Sequence, residues 1–203
     1  MSKTDLYPRI KSRGAVFLDR DGTIIREVNY LSRLADIELL PRAAAAIAEL
    51  NRLQVPVILV SNQSGIARGK FNLDFVDAAH RLLQEMLTRD GAHLDDFFFC
   101  PHHPTAGQAP FKKVCDCRKP EPGLLYAAAA RHQLELTQSY VVGDKLLDIE
   151  LARRVGGKGL LVETGHGLRE KEKISAGEIE PDFIAADLYD AVNWILTDLE
   201  KGK

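Results

Sequence analysis

Short apolar runs alternate with helix-forming segments along this chain, and that alternation restricts its fold more than any other feature. The runs are rich in β-branched and aromatic residues and predict six strands, at Ala15–Leu18, Val57–Val60, Phe97–Phe99, Tyr140–Val142, Leu160–Val162 and Phe183–Ala185. Apolar residues at helical spacing predict helices at Ala43–Leu53, Leu73–Arg89, Leu124–His132, Ile149–Val155 and Leu188–Leu199. Strands that alternate with helices form a parallel sheet covered by helices on both faces. The sequence therefore predicts an α/β protein with a Rossmann-like three-layer fold.

The length and composition suit one globular domain. The 203 residues are 45% hydrophobic and 28% charged, and they contain no repeat or linker that would separate a second domain. We therefore expect a single domain over residues 1–203, with residues 1–13 as a loose lead-in. The net charge of -2 gives no reason to expect a nucleic-acid or membrane partner. Because the start lacks a secretion signal and no long amphipathic surface helix demands assembly, the prediction is a cytoplasmic monomer.

Two aspartates stand directly after the first predicted strand. Asp19 and Asp21 are separated by one residue, and Gly22 follows at once and lets the chain turn sharply. At the end of a strand, this spacing points both carboxylates to the same side. Carboxylates this close repel each other, so the pair favours a shared proton or a metal cation. A carboxylate can also attack phosphorus and form an aspartyl phosphate.

Three more polar clusters are placed to join these aspartates. Ser61-Asn62-Gln63 and Gly143-Asp144-Lys145 each follow a predicted strand, and Arg118-Lys119-Pro120 precedes a predicted helix. In open parallel sheets, ligands bind outside the carboxyl ends of the strands. The sequence therefore predicts one site, at that edge of the sheet, to which all four clusters contribute.

All three cysteines lie between residues 100 and 117, and they form two close pairs of metal-ligand residues. Three cysteines clustered in one segment cannot all pair with one another, which argues against disulfides. Three thiolates and one imidazole match a closed structural zinc site. The predicted zinc ligands are Cys100, His102, Cys115 and Cys117. His103 is the alternative fourth ligand, although the spacing of His102 mirrors that of the second cysteine pair. Zinc would order residues 100–117, the loop that leads to Arg118 and Lys119.

The four clusters resemble, in their order along the chain, the four motifs of the haloacid-dehalogenase-like phosphatases. The resemblance implies that Asp19 is the nucleophile and that Asp21 acts as general acid and then as general base. It implies that Ser61 and Lys119 hold the phosphoryl oxygens. It also implies Mg²⁺ as a cofactor, and the predicted ligands are the Asp19 carboxylate, the Asp21 main-chain carbonyl and Asp144.

The role of Asp148 stays open between two interpretations. As the acidic residue that follows the fourth motif, it would orient Lys145 or a metal-bound water. As an ordinary acid in the first turn of a helix, it would only interact with the helix dipole.

The predicted zinc-binding segment, residues 100–117, is called the zinc loop below. Within the superfamily, this loop resembles that of two cytoplasmic groups, the heptose bisphosphate phosphatases and the histidinol-phosphate phosphatases. The run Ser61–Gly69 and the Gly143-Asp144-Lys145 motif favour the first group, with the second as the alternative. This implies that the partner is a small sugar phosphate, which loses its 7-phosphate during synthesis of nucleotide-activated heptose or of the lipopolysaccharide core.

The resemblance also implies a set of substrate contacts. They are Glu27, Val28, Asn29, Tyr30, Ser61, Asn62, Gln63, Ser64, Arg118, Lys119 and Lys145. Arg118 is assigned to substrate recognition, because a guanidinium can grip a second phosphate or sugar hydroxyls. The stretches between the motifs are too short for a large cap domain, so the zinc loop and the flap Glu27–Tyr30 would shield the site.

Two other classes of protein compete with a phosphatase. A receiver-type signalling domain also combines acidic residues, a phosphorylated aspartate and a lysine on a parallel sheet. The zinc pattern and the acid–base role expected of Asp21 argue against it. A catalytically silent binding protein is disfavoured because no expected catalytic residue is missing.

Overall fold

A parallel six-stranded sheet forms the centre of the molecule. The computed structural model describes residues 13–174 and 179–201, so nearly all of the predicted lead-in lies outside the described residues. The strands are β1 (Val16–Leu18), β2 (Val57–Asn62), β3 (Asp96–Cys100), β4 (Tyr140–Gly143), β5 (Lys158–Val162) and β6 (Phe183–Ala185). They pair in the order β3-β2-β1-β4-β5-β6, and every pair is parallel. The predicted α/β fold is confirmed.

Helices cover both faces of the sheet. They are α1 (Ala43–Arg52), α2 (Leu73–Arg89), α3 (Gly123–His132), α4 (Leu146–Arg154), α5 (Gly167–Lys171) and α6 (Leu188–Lys201). Val16 and Leu18 of β1 join an apolar cluster with α1, α2 and α6, whereas Phe17 joins a second cluster with α3 and α4. Successive side chains of a strand point to opposite faces, so a strand buried on both faces is apolar throughout.

Several element boundaries differ from those predicted. Strand β2 continues to Asn62, so Ser61 belongs to the sheet rather than to a turn. Helix α4 begins at Leu146, so it includes the acidic residue of the fourth motif in its first turn. Helix α5 was not predicted, because its five residues are mostly polar and too few for an apolar period. These corrections move polar residues from loops onto regular elements, which hold side chains more rigidly.

The strand order places the site. Strands β2 and β4 lie on opposite sides of β1, so the strand order reverses at β1. Open α/β sheets bind ligands at such a topological switch point, outside the carboxyl ends of the strands. Between β1 and α1 the only helical turn is a 3₁₀ turn at Leu34–Asp36, and no further folded unit covers Asp19 within residues 13–174 and 179–201. The same described residues contain no helix that is long and apolar enough to cross a membrane.

Candidate active site

A cavity of about 270 Å³ opens at the carboxyl ends of β1, β2 and β4. Ten of the eleven predicted substrate contacts line it, namely Glu27, Asn29, Tyr30, Ser61, Asn62, Gln63, Ser64, Arg118, Lys119 and Lys145. Val28 is the exception, because it packs against the main apolar cluster. Asp19 and Asp21 also line the cavity. The structure thus brings the four polar clusters of the sequence to one place.

Asp19 has the properties of a nucleophile. Its main-chain N–H donates to the carbonyl of Val142 at 2.9 Å, which ties it to β4. Its carboxylate is buried, and Oδ1 lies 2.9 Å from Lys119 Nζ. Burial alone would raise the pKa of Asp19, but the ammonium groups of Lys119 and Lys145 outweigh it and lower that pKa below its ordinary value. The carboxylate therefore stays ionised, as attack on phosphorus requires.

Lys119 lies between two buried carboxylates. Its Nζ donates to the carbonyl of Val60 at 2.9 Å and lies 2.6 Å from Asp148 Oδ1. The contact with Asp148 is an ion pair by distance, although neither Asp148 oxygen accepts a well-aligned hydrogen bond within the described residues. Burial, with repulsion from Asp19, raises the pKa of Asp148 to about 7 despite the attraction of Lys119. The sequence suggested that Asp148 would orient Lys145, but in the structure it contacts Lys119. Asp148 is buried, so it is not a solvated acid at a helix terminus.

Asp21 is held in place by two neighbouring side chains. Arg20 donates to both carboxylate oxygens at 3.1 Å, and Gln63 Nε2 donates to Oδ2 at 3.1 Å. Gln63 also donates to the Ser61 hydroxyl at 2.8 Å and accepts from Arg20 at 3.0 Å. Sequence reasoning did not assign Arg20 to the site, although its position between the two aspartates was a signal. This network fixes the Asp21 carboxylate beside Asp19.

Three buried carboxylates form a candidate cation site. Asp19, Asp144 and Asp148 each place an oxygen within 4.8 Å of the others. Burial and then repulsion from Asp19 raise the pKa of Asp144. A hard divalent cation would offset this repulsion, and oxygen ligands are those that Mg²⁺ prefers. The donor set therefore fits Mg²⁺.

Glycines bring the main chain close to the Asp144 carboxylate. A Cβ at Gly22 would lie 2.2 Å from Asp144 Oδ2, and one at Gly165 would lie 2.4 Å from it. Both residues adopt a positive φ, which favours glycine. The main-chain N–H of His166 donates to the same oxygen at 2.9 Å, and the Thr164 hydroxyl donates to the Gly22 carbonyl at 2.6 Å. Sequence reasoning missed this segment, whose signal was its place after β5 at the same edge of the sheet.

The predicted zinc ligands also converge. The three cysteine Sγ atoms lie 3.2, 3.4 and 3.6 Å apart, and His102 Nδ1 lies 3.2 Å from Cys117 Sγ and 3.6 Å from Cys100 Sγ. Tetrahedral sulfur ligands around zinc stand roughly 3.8 Å apart, given a Zn–S bond of about 2.3 Å. His103 faces away, because its Nδ1 accepts the N–H of Ala106 at 2.9 Å. The cluster is compatible with zinc.

The zinc loop positions two basic residues of the cavity. Arg118 donates to the carbonyl of His102 at 3.2 Å. The Asn62 side chain donates to the Lys119 carbonyl at 3.1 Å and accepts the Lys119 N–H at 3.0 Å. Asn62, predicted as a substrate contact, thus uses its amide to clamp the main chain of Lys119. The loop and β2 together set where the Lys119 ammonium lies.

Comparisons with known proteins agree with this geometry. The family model described as HAD-hydrolase-like matches residues 116–191. The D-glycero-D-manno-heptose-1,7-bisphosphate 7-phosphatase of Thermosynechococcus vestitus is 47% identical over 191 residues, which are 92% of this chain and 97% of that one. The Escherichia coli K12 enzyme named D-glycero-beta-D-manno-heptose-1,7-bisphosphate 7-phosphatase is 40% identical over 76% of this chain and 82% of its own.

A crystal structure shows the same arrangement of the chain. The D,D-heptose 1,7-bisphosphate phosphatase of B. bronchiseptica, complexed with magnesium and phosphate, superposes with a TM-score of 0.81 and 32% identity. The match covers 91% of this chain and 99% of that one. Fold, motif order and near full-length identity agree, and the chain therefore belongs to the D-glycero-D-manno-heptose-1,7-bisphosphate 7-phosphatase family of haloacid-dehalogenase-like phosphatases.

Proposed function

We propose that this protein removes the 7-phosphate of D-glycero-D-manno-heptose 1,7-bisphosphate through an aspartyl-phosphate intermediate. The observation that supports this most directly is the buried Asp19 carboxylate, kept ionised by Lys119, with Asp21 held beside it in the same cavity. Membership of the family supports the substrate. The product of this reaction would be used, as in the relatives, in the synthesis of nucleotide-activated heptose and of the lipopolysaccharide core.

In the first step, an oxygen of the Asp19 carboxylate attacks phosphorus. The new bond joins Asp19 to the phosphoryl group, while the bond between phosphorus and the sugar oxygen breaks. Asp21, in its protonated form, donates its proton to that departing oxygen. The Ser61 hydroxyl and the Lys119 ammonium hold the phosphoryl oxygens as charge moves onto them.

In the second step, water replaces Asp19 on phosphorus. Asp21 is now ionised and takes a proton from the attacking water, and inorganic phosphate leaves. The hydrogen bonds from Arg20 and Gln63 hold the Asp21 carboxylate in place for this step. The two steps return Asp19 to its ionised form and Asp21 to its protonated form.

The cofactors are inferred from the family and from the buried donor groups, of which Asp148 is already paired with Lys119. Mg²⁺ would be held by the Asp19 carboxylate, the Asp21 main-chain carbonyl and Asp144, and when bound it offsets the repulsion between the phosphate dianion and the attacking carboxylate. Zinc would be held by Cys100, His102, Cys115 and Cys117 as a structural ion. We further propose that residues 1–203 act as one domain and as a monomer in the cytoplasm, where the three unpaired cysteines stay reduced.

Phosphate release tests the substrate assignment. With both anomers of heptose 1,7-bisphosphate and with histidinol phosphate, we expect kcat/KM to be higher for one heptose anomer by on the order of 10²-fold. The physical reason is that Arg118 and Lys145 line the cavity and attract a second phosphate, whereas histidinol phosphate presents an ammonium instead. A preference for histidinol phosphate would overturn the assignment.

The zinc site can be tested through His102→Gln. Because the zinc loop leads directly to Arg118 and Lys119, loss of the metal should lower the thermal midpoint and reduce kcat/KM by about tenfold or more. The measurements are zinc content by mass spectrometry, thermal unfolding and phosphate release. His93→Gln, on an exposed loop, is the matched control and should keep its zinc. Full zinc content and wild-type stability in His102→Gln would contradict the assigned ligand.

A further inference from the structure

A buried histidine lies in α2, outside the cavity that contains the catalytic residues. His80 is 6% exposed, and its ring stacks on Phe97 with the ring centroids 4.9 Å apart and meets Phe99 edge-on at 5.6 Å. Its Nε2 atom is buried and has no hydrogen-bond partner among residues 13–174 and 179–201. A polar atom that is buried without a partner destabilises the protein, so this nitrogen needs an explanation.

Arg20 has a complementary unpaired group. Its Nε and NH2 nitrogens donate to Asp21, and NH2 also donates to Gln63, but NH1 is buried without a partner in the same two ranges of the chain. Burial lowers the pKa of His80 to about 3, and the nearby charge of Arg20 lowers that pKa as well, so the imidazole is neutral. With its proton on Nδ1, a neutral imidazole accepts a hydrogen bond at Nε2, whereas a guanidinium only donates.

The strand register brings His80 next to the contacts of Arg20. Ser61 of β2 and Phe99 of β3 are partners in the parallel register, so their side chains lie side by side on one face of the sheet. Gln63 donates to the Ser61 hydroxyl at 2.8 Å and accepts from Arg20 at 3.0 Å. His80 also lines a cavity of about 470 Å³ between α2 and β3, which lets water reach the ring.

Resting on the proposed function, we infer that His80 is a positioning residue for the general acid Asp21. A water molecule that accepts from Arg20 NH1 and donates to His80 Nε2 satisfies both buried groups. All three guanidinium nitrogens are then held, and the two hydrogen bonds from Arg20 keep the Asp21 carboxyl group aimed at the departing sugar oxygen. His80 does not line the catalytic cavity, so its effect on the reaction passes through Arg20.

The test compares two substitutions that differ in one polar group. His80→Leu and His80→Gln both remove the ring and keep a side chain of similar size, but only glutamine can accept a hydrogen bond. In single turnovers with heptose 1,7-bisphosphate, we expect heptose 1-phosphate to form about tenfold more slowly in His80→Leu, which corresponds to the loss of one hydrogen bond. His80→Gln should recover most of that rate. His93→Leu, at an exposed histidine, is the matched control.

A substrate that needs no proton distinguishes positioning from a general loss of structure. In single turnovers with p-nitrophenyl phosphate, p-nitrophenol should leave as fast in His80→Leu as in the wild type, because this leaving group departs without an acid. In an Arg20→Lys background, which lacks NH1, His80→Leu should cost nothing further. Thermal unfolding verifies the fold, and His80→Phe, which keeps the stack on Phe97, is the second variant without a ring nitrogen should leucine disturb it.

The outcomes separate this inference from the proposed function. If the wild type hydrolyses the bisphosphate but His80→Leu is equally fast, or loses as much with p-nitrophenyl phosphate, His80 does not position Asp21 and the function stands. The same conclusion follows if His80→Gln is as slow as His80→Leu, or if the losses from His80→Leu and Arg20→Lys add in full. If the wild type does not hydrolyse the bisphosphate, the proposed function and this inference both fall.

Discussion

Asp19→Asn is expected to lower kcat for phosphate release by at least about 10⁴-fold. A neutral amide cannot attack phosphorus, so no aspartyl phosphate forms. The side chain is nearly the same size, and Lys119 keeps its ion pair with Asp148, so the protein should remain folded. Steady-state phosphate release from heptose 1,7-bisphosphate measures the loss, and thermal unfolding measures the stability.

The matched control for Asp19→Asn is the same substitution at Asp90, an exposed residue after α2. Asp90→Asn should have wild-type kcat. If Asp19→Asn kept more than about a hundredth of the wild-type kcat, another group would have to be the nucleophile. In that case, the aspartyl-phosphate mechanism would be wrong for this protein.

Asp21→Asn is expected to lower kcat by about 10²- to 10⁴-fold, and it should do so with a different kinetic signature. An amide can neither protonate the departing sugar oxygen nor take a proton from water. A substrate with a good leaving group, such as p-nitrophenyl phosphate, needs no proton for the first step. The variant should therefore form the aspartyl phosphate from this substrate and hydrolyse it slowly.

Rapid-quench kinetics and intact-protein mass spectrometry test this expectation. We expect a burst of p-nitrophenol close to one per active site, together with a phosphorylated protein that the wild type does not accumulate. Phosphorylation should be absent from the double variant with Asp19→Asn. An unchanged kcat in Asp21→Asn would instead be typical of a receiver-type domain, which has no acid–base step at this position.

The sheet could be predicted because its signals are local. Each strand contains a short apolar run, so all six were found with small errors at their ends. Helix α5 was missed because five mostly polar residues contain no apolar period. Propensity and periodicity identify an element, but its final residues depend on contacts with other parts of the chain.

Chemical type also made part of the site predictable. A pair of aspartates after a strand and two close pairs of zinc-type ligands have few alternative uses, and the structure brings each set together. The contacts of Arg20, Asp148 and His166 could not be predicted, because their partners are set by how the ends of separate strands and helices face each other. Asp148 illustrates this, because its buried partner is Lys119, whereas Lys145 is nearer in the sequence.

By itself, the sequence determined which chemistry was possible: a parallel sheet, a carboxylate nucleophile with a second acid two residues on, and a sulfur-rich metal site. The tertiary structure alone decided how these groups act together. It buried Lys119 between Asp19 and Asp148, which keeps the Asp19 carboxylate ionised, and it docked Gly107 of the zinc loop on the turn that follows β2. The physical reason is that charge interactions and phosphate contacts depend on distance and burial in space, and residues far apart in sequence acquire these only when the chain folds.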